Sequence, residues 1–257
     1  MPNVMKISII IATYNASKTL NRCLDSIVSQ KNSEVELIII DGGSTDETLS
    51  VINSYNSYID YALSEKDNGL YDAWNKGIKA AKGDWIMFLG ADDQLLSNAL
   101  EKYIELISSV EMNSFDYISA KVNYLDENGH FLKVIGKGWK WNEFRDKMTV
   151  AHVASLHSRS LFNQVGLFNT SYKICADYEL LMRKKDKLSA FFYDEIIADM
   201  EFGGVSFSKA AIYETCKICN TYNSNSWLKS KYLVCRKLSE FYFFLFRLHV
   251  RRILQHK

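Results

Sequence analysis

The chain has 257 residues, which suits one large domain or one domain with an appendage. Apolar residues make up 47% and charged residues 24%, an ordinary balance for a soluble globular protein, and the net charge of +1 identifies no partner by itself. No run approaches the roughly 18 apolar residues of a membrane span, and the N-terminal apolar run is too short for a signal peptide, so we expect a cytosolic protein.

Strand-like and helix-like stretches alternate through the first 95 residues. The strand-like stretches are short, apolar and rich in β-branched residues, as in ISIIIA and VELIII, which is typical of strands buried on both faces. The alternation predicts an α/β fold with a Rossmann-like, mostly parallel sheet flanked by helices. The predicted strands are 7–12, 35–40, 59–63 and 85–89, and the predicted helices are 18–30, 46–55 and 70–82.

Polar clusters follow each of these predicted strands. In a parallel sheet the carboxyl ends of the strands form one edge, and ligands bind there. We therefore expect four clusters to meet at one place: Thr13, Tyr14 and Asn15; Asp41, Gly42 and Gly43; 65–69; and Asp92 and Asp93.

The second half of the chain is predicted to be mixed. A helix is expected at 97–110, followed by a β-hairpin of 117–125 and 131–135 around the turn formers Asn128 and Gly129. Further helices are expected at 158–165 and in ICADYELLMRKK, and a strand at 190–201. The remainder reads as helical and basic.

Two of the strand-end carboxylate groups allow more than one reading. Asp92 and Asp93 suit a divalent cation carrying a diphosphate, since Mg²⁺ and Mn²⁺ prefer oxygen ligands, but a solvated turn is the alternative. Asp41, before two glycines, could accept hydrogen bonds from a base or a ribose, or could serve as a turn residue.

Three further residues are candidates on local grounds. Asp177 lies among apolar neighbours, which raise a carboxyl pKa as a general base requires, or it caps a helix. Lys76 could meet a phosphate or could pair with Asp72 one helical turn away. His152, among apolar residues, is read as a half-buried strand histidine.

The sequence does not indicate a dinucleotide-binding fingerprint, a phosphate loop or a zinc site. GGSTDE lacks the spacing of a dinucleotide fingerprint, and the first loop lacks the lysine of a phosphate loop. The pair Cys216 and Cys219 has no second pair and no nearby histidine, so free thiols are expected rather than a zinc site.

The ordered set ISIIIATYNASKTLNRCLDSIVSQ, ELIIIDGGSTDET, SEKDNGLYDAWNKGIKAAKGDWIMFLGADDQL, HVASLHSRSLFNQVGLFNTSYKICADYELLMR and FGGVS resembles the family 2 glycosyltransferases of GT-A fold. It is most similar to bacterial enzymes of O-antigen or exopolysaccharide synthesis. The resemblance implies a GT-A catalytic domain of residues 1–207, with a nucleotide-binding half (1–95) and an acceptor-binding half (96–207). Residues 208–257 would form a helical, basic C-terminal extension.

The resemblance also implies roles for the matching positions. Asp177 would be the catalytic base, Asp92 and Asp93 would hold Mn²⁺ or Mg²⁺, and Asp41 would bind the uracil. His152, Tyr178 and Glu179 would lie near donor or acceptor. The full donor-binding set would be Thr13, Tyr14, Asn15, Asp41, Asp67, Asn68, Asp72, Lys76, Ala91 and Asp92.

The implied reaction is an inverting transfer of a hexose from a UDP-sugar, UDP-glucose or UDP-galactose, to an undecaprenyl-diphosphate-linked sugar, giving a β-linkage. A nucleotidyltransferase and a non-catalytic nucleotide-sugar-binding protein are the alternatives.

One position departs from the family pattern. Many relatives have an acid two residues before the equivalent of Asp92, where this chain has Gly90, which leaves one carboxylate fewer for the metal.

The C-terminal stretch combines aromatic and basic residues. Residues 229–257 hold eight Lys or Arg against the single acid Glu240, so the stretch carries +7 and the rest of the chain −6. Residues 238–257 could bind the anionic inner-membrane surface from the cytoplasmic side, or could pack their aromatic rings on the main domain. The acidic remainder argues against a nucleic-acid partner.

Overall fold

A computed structural model describes residues 6–108, 112, 114–204, 206–223 and 227–255, with side chains of the last helix described over 231–247. The first half runs β1 (Ile7–Thr13), α1 (Leu20–Val28), β2 (Val35–Asp41), α2 (Thr48–Ser54), β3 (Tyr61–Ser64), α3 (Leu70–Ala80) and β4 (Trp85–Gly90). The alternation predicted from the sequence is therefore confirmed.

The second half contains shorter and more varied elements. In order these are β5 (Gln94–Leu95), α4 (Ala99–Ile107), β6 (Tyr117–Leu125), β7 (Phe131–Ile135), α5 (Trp141–Phe144), β8 (Leu156–Ser158), α6 (Arg159–Val165), α7 (Ala176–Met182), β9 (Ala190–Glu201), α8 (Lys209–Asn223) and α9 (Trp227–Gln255). No helix in the described part of the chain is both long enough and apolar enough to cross a bilayer.

One mixed sheet of nine strands joins both halves within the described residues, in the order β3-β2-β1-β4-β8-β6-β9-β5, with β7 on β6. The strands β3, β2, β1 and β4 are parallel, as predicted. Strand β8 then pairs antiparallel with β4 and β6, and β9 runs parallel to β6 but antiparallel to β5. The sheet as a whole is thus less parallel than the sequence predicted.

The central strands are buried on both faces. Ile9 and Ile11 of β1 face one apolar cluster with α1 and α4, while Ile10 between them faces a second cluster with α3, α6 and α7. Side chains of a strand alternate between the two faces of the sheet, so a continuous isoleucine run supplies both layers. This two-sided burial fixes the register of β1 and hence the position of the loop that follows it.

Several element ends differ from the prediction for identifiable reasons. Helix α2 begins at Thr48, not within Ser44 to Glu47, because the Asp46 carboxylate accepts a hydrogen bond from the Thr48 amide (3.0 Å). Helix α3 ends at Ala80, since the amides of Lys82 and Gly83 donate to the buried Glu36 carboxylate instead.

The predicted helix 97–110 is Ala99–Ile107 in the structure, and Val110 lies outside the described residues. The expected helix at 158–165 begins at Arg159, with the Ser158 hydroxyl accepting from the Leu161 amide as N-cap. The β6–β7 hairpin and strand β9 have the predicted bounds.

Candidate active site at the carboxyl edge of the sheet

Two cavities meet at the carboxyl edge of the parallel strands. The first, of about 610 Å³, lies at the ends of β1, β2 and β3 and has Thr13, Gly42, Gly43, Lys66 and Asp67 in its wall. The second, of about 580 Å³, lies beside it beyond the end of β4. Both are bordered by Ala12, Tyr14 and Leu70, so they form one groove. We call them the strand-end cavity and the central cavity.

The carboxylate of Asp41 is used by the chain itself. It is 1% exposed and accepts hydrogen bonds from the hydroxyls of Thr13 (3.0 Å), Ser44 and Ser64 (2.7 Å), and from the amides of Gly43 and Ser44. Burial opposes its ionisation, but these hydrogen bonds outweigh burial and lower the pKa of Asp41. Its acceptor capacity is therefore largely occupied, and it shapes the loop between β2 and α2. Its predicted contact with uracil stays a prediction.

The loop after β1 is tied to the loop after β2. The Asn15 side chain accepts from the Thr45 amide (2.9 Å), and the Asn15 amide donates to the Ser44 hydroxyl (2.8 Å). Tyr14 between them is 65% exposed at the groove. Two loops that hold each other in this way present Tyr14 as a fixed aromatic surface on which a flat ring could stack.

Asp67 covers the glycine turn after β2. A Cβ on Gly42 would come within 2.6 Å of an Asp67 carboxylate oxygen, so only glycine leaves room for this contact. Asp67 also accepts from the Gly69 amide (2.8 Å), and the Asn68 amide donates to Asp72 (3.0 Å). Asp67 is thus in the wall of the strand-end cavity, while Asn68 and Asp72 support the start of α3.

Lys76 lies in an ion pair rather than in either cavity. Its ammonium is 2.8 Å from Glu65 and 3.7 Å from Asp72, and the Glu65 contact raises the pKa of Lys76. This is the surface pairing that the sequence left open as the alternative. The diphosphate role of Lys76 stays a prediction that these contacts do not favour.

The two carboxylates after β4 have different surroundings. Asp93 is 5% exposed and accepts from the Gly90 amide (2.9 Å), and burial, followed by the Asp92 charge, raises the pKa of Asp93 to about 8. Asp92 is half-buried in the wall of the central cavity next to Ala91, and burial raises its pKa too. The nearby Arg22 guanidinium pairs with Glu201 at 2.5 Å and reaches only the Asp92 backbone oxygen.

This arrangement fits a divalent cation held mainly by substrate. Among the described residues, no three potential ligand side chains come together as a metal site, and the hydrogen bond that acts on the Asp92 carboxylate comes from its own backbone amide. A carboxylate that faces a cavity can give an oxygen to Mg²⁺ or Mn²⁺, with diphosphate oxygens and water completing the shell. Asp92 fits that role, whereas Asp93 lies beneath it and is engaged with Gly90.

Asp177 lines the central cavity together with Asp92. It lies in the first turn of α7, where Cys175 is the N-cap, and its carboxylate accepts a hydrogen bond from the Tyr71 hydroxyl (2.9 Å). Burial raises the pKa of Asp177, while hydrogen bonds from the Tyr178 amide and the Tyr71 hydroxyl act in the opposite direction. A carboxylate with a raised pKa, fixed in orientation and open to a cavity, has the properties of a general base.

His152 forms an aromatic wall of the same cavity, and its Nε2 is a buried polar atom without a hydrogen-bond partner among the described residues. It lies in the loop before β8, not in a strand, and stacks on Trp74 (5.2 Å between centroids) and Phe88 (5.6 Å). Burial lowers the pKa of His152 to about 3, so the ring is neutral at physiological pH. It adds a flat surface to the cavity rather than a charge.

Two residues expected near the substrates lie elsewhere. Tyr178 is 2% exposed and donates to the Phe144 carbonyl (2.8 Å), and Glu179 is 3% exposed and pairs with Arg183 at 2.5 Å. Both point away from the groove towards α5, α8 and the end of α7. The helical period explains this, because Asp177 and its next two neighbours occupy different faces of α7.

Sequence reasoning missed a second group of residues that support Asp177. Glu214 of α8 accepts from the amides of Lys173 (2.7 Å), Ile174 (2.8 Å) and Cys175 (2.7 Å), which lead into α7. The Tyr71 hydroxyl lies 2.6 Å from the Ile174 carbonyl oxygen and 2.9 Å from an Asp177 carboxylate oxygen, so these two acceptors share its single proton. Glu214 has no local motif that would reveal it, whereas Tyr71 could have been proposed from its place in the first turn of α3.

Comparisons with known proteins agree with this geometry. Residues 8–165 match the model of the family described as Glycosyl transferase family 2. A PGL/p-HBAD biosynthesis glycosyltransferase of Mycobacterium bovis (strain BCG / Pasteur 1173P2) is 34% identical over 206 residues, covering 77% of this chain and 78% of that protein.

Solved structures share the fold at lower identity. The crystal structure of S. aureus TarS 1-349 in complex with UDP-GlcNAc superposes with a TM-score of 0.66 at 19% identity, covering 89% of this chain and 69% of that one. The mannosyltransferase PcManGT from Pyrobaculum calidifontis, in complex with GDP-Man and Mn²⁺, gives 0.65 at 15% identity, covering 86% and 65%.

Proposed function

Because the chain belongs to glycosyl transferase family 2, we propose that it moves a hexose from a UDP-sugar, UDP-glucose or UDP-galactose, to a sugar carried on a lipid diphosphate. The reaction inverts the anomeric carbon and gives a β-linkage, as a step of bacterial O-antigen or related polysaccharide synthesis. The observation that carries the proposal is that Asp177, held by the Tyr71 hydroxyl, shares the central cavity with Asp92.

The donor occupies both cavities in this proposal. The base and ribose lie in the strand-end cavity against Tyr14 and Asp67, and the diphosphate and hexose reach the central cavity beside Asp92. The solved structures with UDP-GlcNAc and with GDP-Man and Mn²⁺ are consistent with a nucleotide-sugar donor. Asp92 would hold Mn²⁺ or Mg²⁺, which when bound offsets the negative charge of the leaving diphosphate.

The chain's own contribution centres on Asp177. Its carboxylate takes the proton of the acceptor hydroxyl, and the hydroxyl oxygen bonds to the anomeric carbon as the bond to the UDP oxygen breaks. Tyr71 fixes the direction of the Asp177 oxygens, and the neutral rings of His152 and Trp74 exclude water from one side of the cavity.

The test is acceptor-dependent UDP release. The purified chain is given each UDP-hexose and its N-acetyl form with Mn²⁺ and a synthetic lipid-diphosphate GlcNAc or GalNAc acceptor. Asp177→Asn should lower the rate about a hundredfold or more, because a missing general base costs that much. Asp186→Asn, an exposed aspartate in the turn after α7, is the matched control. Undiminished release by Asp177→Asn would refute the assigned base.

The alternatives make different predictions. A non-catalytic binding protein would bind a UDP-sugar but release no UDP with any acceptor.

Asp92→Ala tests the metal site separately, since it should weaken Mn²⁺-dependent donor binding measured by calorimetry. Full activity with the same metal dependence in Asp92→Ala would contradict the metal role. Membership of a glycosyltransferase family argues against the nucleotidyltransferase alternative.

Peripheral membrane binding through α9 is a separate part of the proposal. Tyr242 (51%), Phe243 (62%) and Phe246 (64%) are exposed, and the Arg247 guanidinium lies 6.0 Å from the Phe243 ring centre. Phe241 and Phe244 instead pack on Phe207, so α9 has one docked and one exposed aromatic face. The side chains of Arg251, Arg252 and Lys257 lie outside those described. An aromatic face with basic residues suits an anionic bilayer surface.

Vesicle sedimentation tests this surface without removing the docked rings. Phe243→Ser with Phe246→Ser should reduce sedimentation with phosphatidylglycerol vesicles, and Tyr58→Ser, an exposed aromatic residue outside α9, should not. Fractionation of cells should place the unaltered chain on the cytoplasmic face of the inner membrane. Equal sedimentation of all variants would rule out binding through this face.

A further inference from the structure

A third cavity, of about 490 Å³, lies between the β6–β7 hairpin and the two C-terminal helices. Its wall combines aromatic rings, aliphatic side chains and charged groups. The aromatic members are Tyr124, Phe207, Phe241 and Phe244, the aliphatic members include Ile135 and Ile212, and the charged members are Lys133, Lys237 and Glu240. We call it the hairpin cavity.

The hairpin cavity continues the groove. Ile135, at the end of β7, and Ser206 line both the central cavity and the hairpin cavity. The three cavities therefore follow one another, with the strand-end cavity at one end and the hairpin cavity at the other. A molecule whose reacting group lies beside Asp177 can extend past these two residues into the hairpin cavity.

Two lysine side chains line this cavity outside the ion pairs of the described residues, although the more distant Glu240 carboxylate attracts the Lys237 ammonium. The Lys133 ammonium lies 5.0 Å from the Phe244 ring centre and 5.5 Å from that of Tyr124. Among the described residues, no carboxylate lies within ion-pair distance of Lys133 or Lys237, and the carboxylate of Glu240 is next to Arg236 (3.7 Å). Burial lowers the pKa of both lysines. A partly desolvated ammonium among aromatic rings gains from a bound anion.

We propose that the hairpin cavity binds the aglycone of the acceptor, an apolar chain joined to the acceptor sugar through a phosphate or diphosphate. Lys133 and Lys237 contact the phosphate oxygens, and the rings of Phe207, Phe241 and Phe244 pack against the first part of the chain. The inference rests on the proposed function, because it uses the central cavity as the place of transfer. It adds the residues that distinguish a lipid-linked acceptor from a free sugar.

Binding of decyl diphosphate tests the cavity without any reaction. Titration calorimetry compares decyl diphosphate with inorganic pyrophosphate and with decanol. We expect decyl diphosphate to bind more tightly than either, since it alone supplies both the anion and the apolar chain. Equal binding of pyrophosphate would identify a free-phosphate site and overturn the assignment to an aglycone.

Substitution of the two lysines tests their part. Lys133→Met and Lys237→Met should each weaken decyl diphosphate binding about tenfold, or about 1.4 kcal/mol, since each removes one charge-assisted hydrogen bond to the diphosphate. Lys209→Met is the matched control, because the Lys209 ammonium lies over the Tyr242 ring (5.1 Å) and the residue is not in the cavity wall. Unchanged binding in the double variant would overturn the proposal.

The failure of this inference and that of the proposed function give different results. If the chain releases UDP with a lipid-diphosphate acceptor and the lysine variants keep its acceptor KM, the transfer stands and the aglycone site is wrong. If decyl diphosphate binding depends on the lysines but no UDP-sugar is consumed, the cavity stands and the assigned reaction is wrong.

Discussion

The Tyr71 hydroxyl controls the charge and the direction of the proposed base. It donates to an Asp177 carboxylate oxygen at 2.9 Å, and this hydrogen bond favours the ionised carboxylate, whereas burial favours the protonated form. The two effects set the pH above which Asp177 can accept a proton. At this scale the reactivity depends on a single hydroxyl group from a different element.

Tyr71→Phe should therefore move the acidic limb of the profile of kcat/KM against pH to higher pH. The wild-type limb already lies above the usual aspartate range, because burial raises the pKa of Asp177, and loss of the hydroxyl raises it further. The phenylalanine ring keeps the packing on Trp74 and Phe168. Tyr172→Phe, a buried tyrosine without a bond to Asp177, is the control. A limb that does not move in Tyr71→Phe would contradict this role.

There is a steric reason for glycine at position 90, and the sequence alone could not reveal it. A Cβ there would approach oxygens of Asp92 and Asp93 to 2.6 Å and 2.9 Å. Gly90→Asp, which introduces the acid that the family resemblance led us to expect, should therefore lower the free energy of unfolding by about 1–3 kcal/mol and weaken Mn²⁺ binding. Urea unfolding and calorimetry measure these effects. Gly204→Asp is the control, because Gly204 lies in the same cavity wall with open space around it. Tighter Mn²⁺ binding by Gly90→Asp would contradict the steric explanation.

At the scale of elements, α8 holds the start of α7. The Glu214 carboxylate accepts three amide hydrogen bonds from residues 173–175, so a helix from the predicted extension fixes the helix that carries Asp177. The predicted division into residues 1–207 and 208–257 stays a prediction, but this contact joins the two parts at the site.

Glu214→Gln should lower kcat about tenfold with little change in the donor KM, because the three amides that Glu214 accepts from lead into α7 rather than into the loops after β1 and β2. The Glu214 charge also contributes to the raised pKa of Asp177, so the acidic limb should move to lower pH, opposite to its movement in Tyr71→Phe. Glu105→Gln, exposed on α4, is the control. A lower kcat without this shift would indicate only a general loss of structure.

The strength of the local sequence signal in each element explains how far the sequence could predict the fold. The β6–β7 hairpin has its predicted bounds because an Asn-Gly turn separates two strand-like runs, and such local signals are strong. Strand β5 has two residues and β8 three, too few to show a period. The polar clusters could be placed together because the carboxyl ends of parallel strands share one edge of the sheet. The contact of Glu214 with the amides of 173–175 could not be predicted, since about forty residues separate them in the chain.

At the scale of the whole molecule, the core contains titratable groups that respond to pH. His157 is fully buried between Phe88 (5.3 Å) and Tyr117 (4.9 Å), and neither ring nitrogen makes a hydrogen bond of good geometry. Burial lowers the pKa of His157 well below its usual value. The unfolded chain therefore binds a proton near pH 6.5 that the folded chain does not.

His157 should therefore lower the free energy of unfolding by about 2 kcal/mol between pH 8 and pH 5, opposite in direction to Asp93, whose raised pKa of about 8 makes the folded chain take up a proton over the same range. His157→Phe removes the histidine contribution, so the free energy of unfolding at pH 5 relative to pH 8 should be about 2 kcal/mol higher in the variant than in the wild-type chain, which urea unfolding at the two pH values measures. His130→Gln is the control, because the His130 side chain is largely exposed. An identical pH dependence in His157→Phe and the wild-type chain would contradict the linkage.

The contact between Glu214 and α7 also bears on how the protein is made. The ribosome completes the loops that line the strand-end cavity within the first 95 residues, whereas Glu214 leaves it more than a hundred residues later. A nascent or prematurely terminated chain that stops before residue 214 lacks the carboxylate that fixes Asp177. The residues of the proposed donor site and the support of the proposed base are thus encoded in separate parts of the message, and only a chain that extends past residue 214 brings them together.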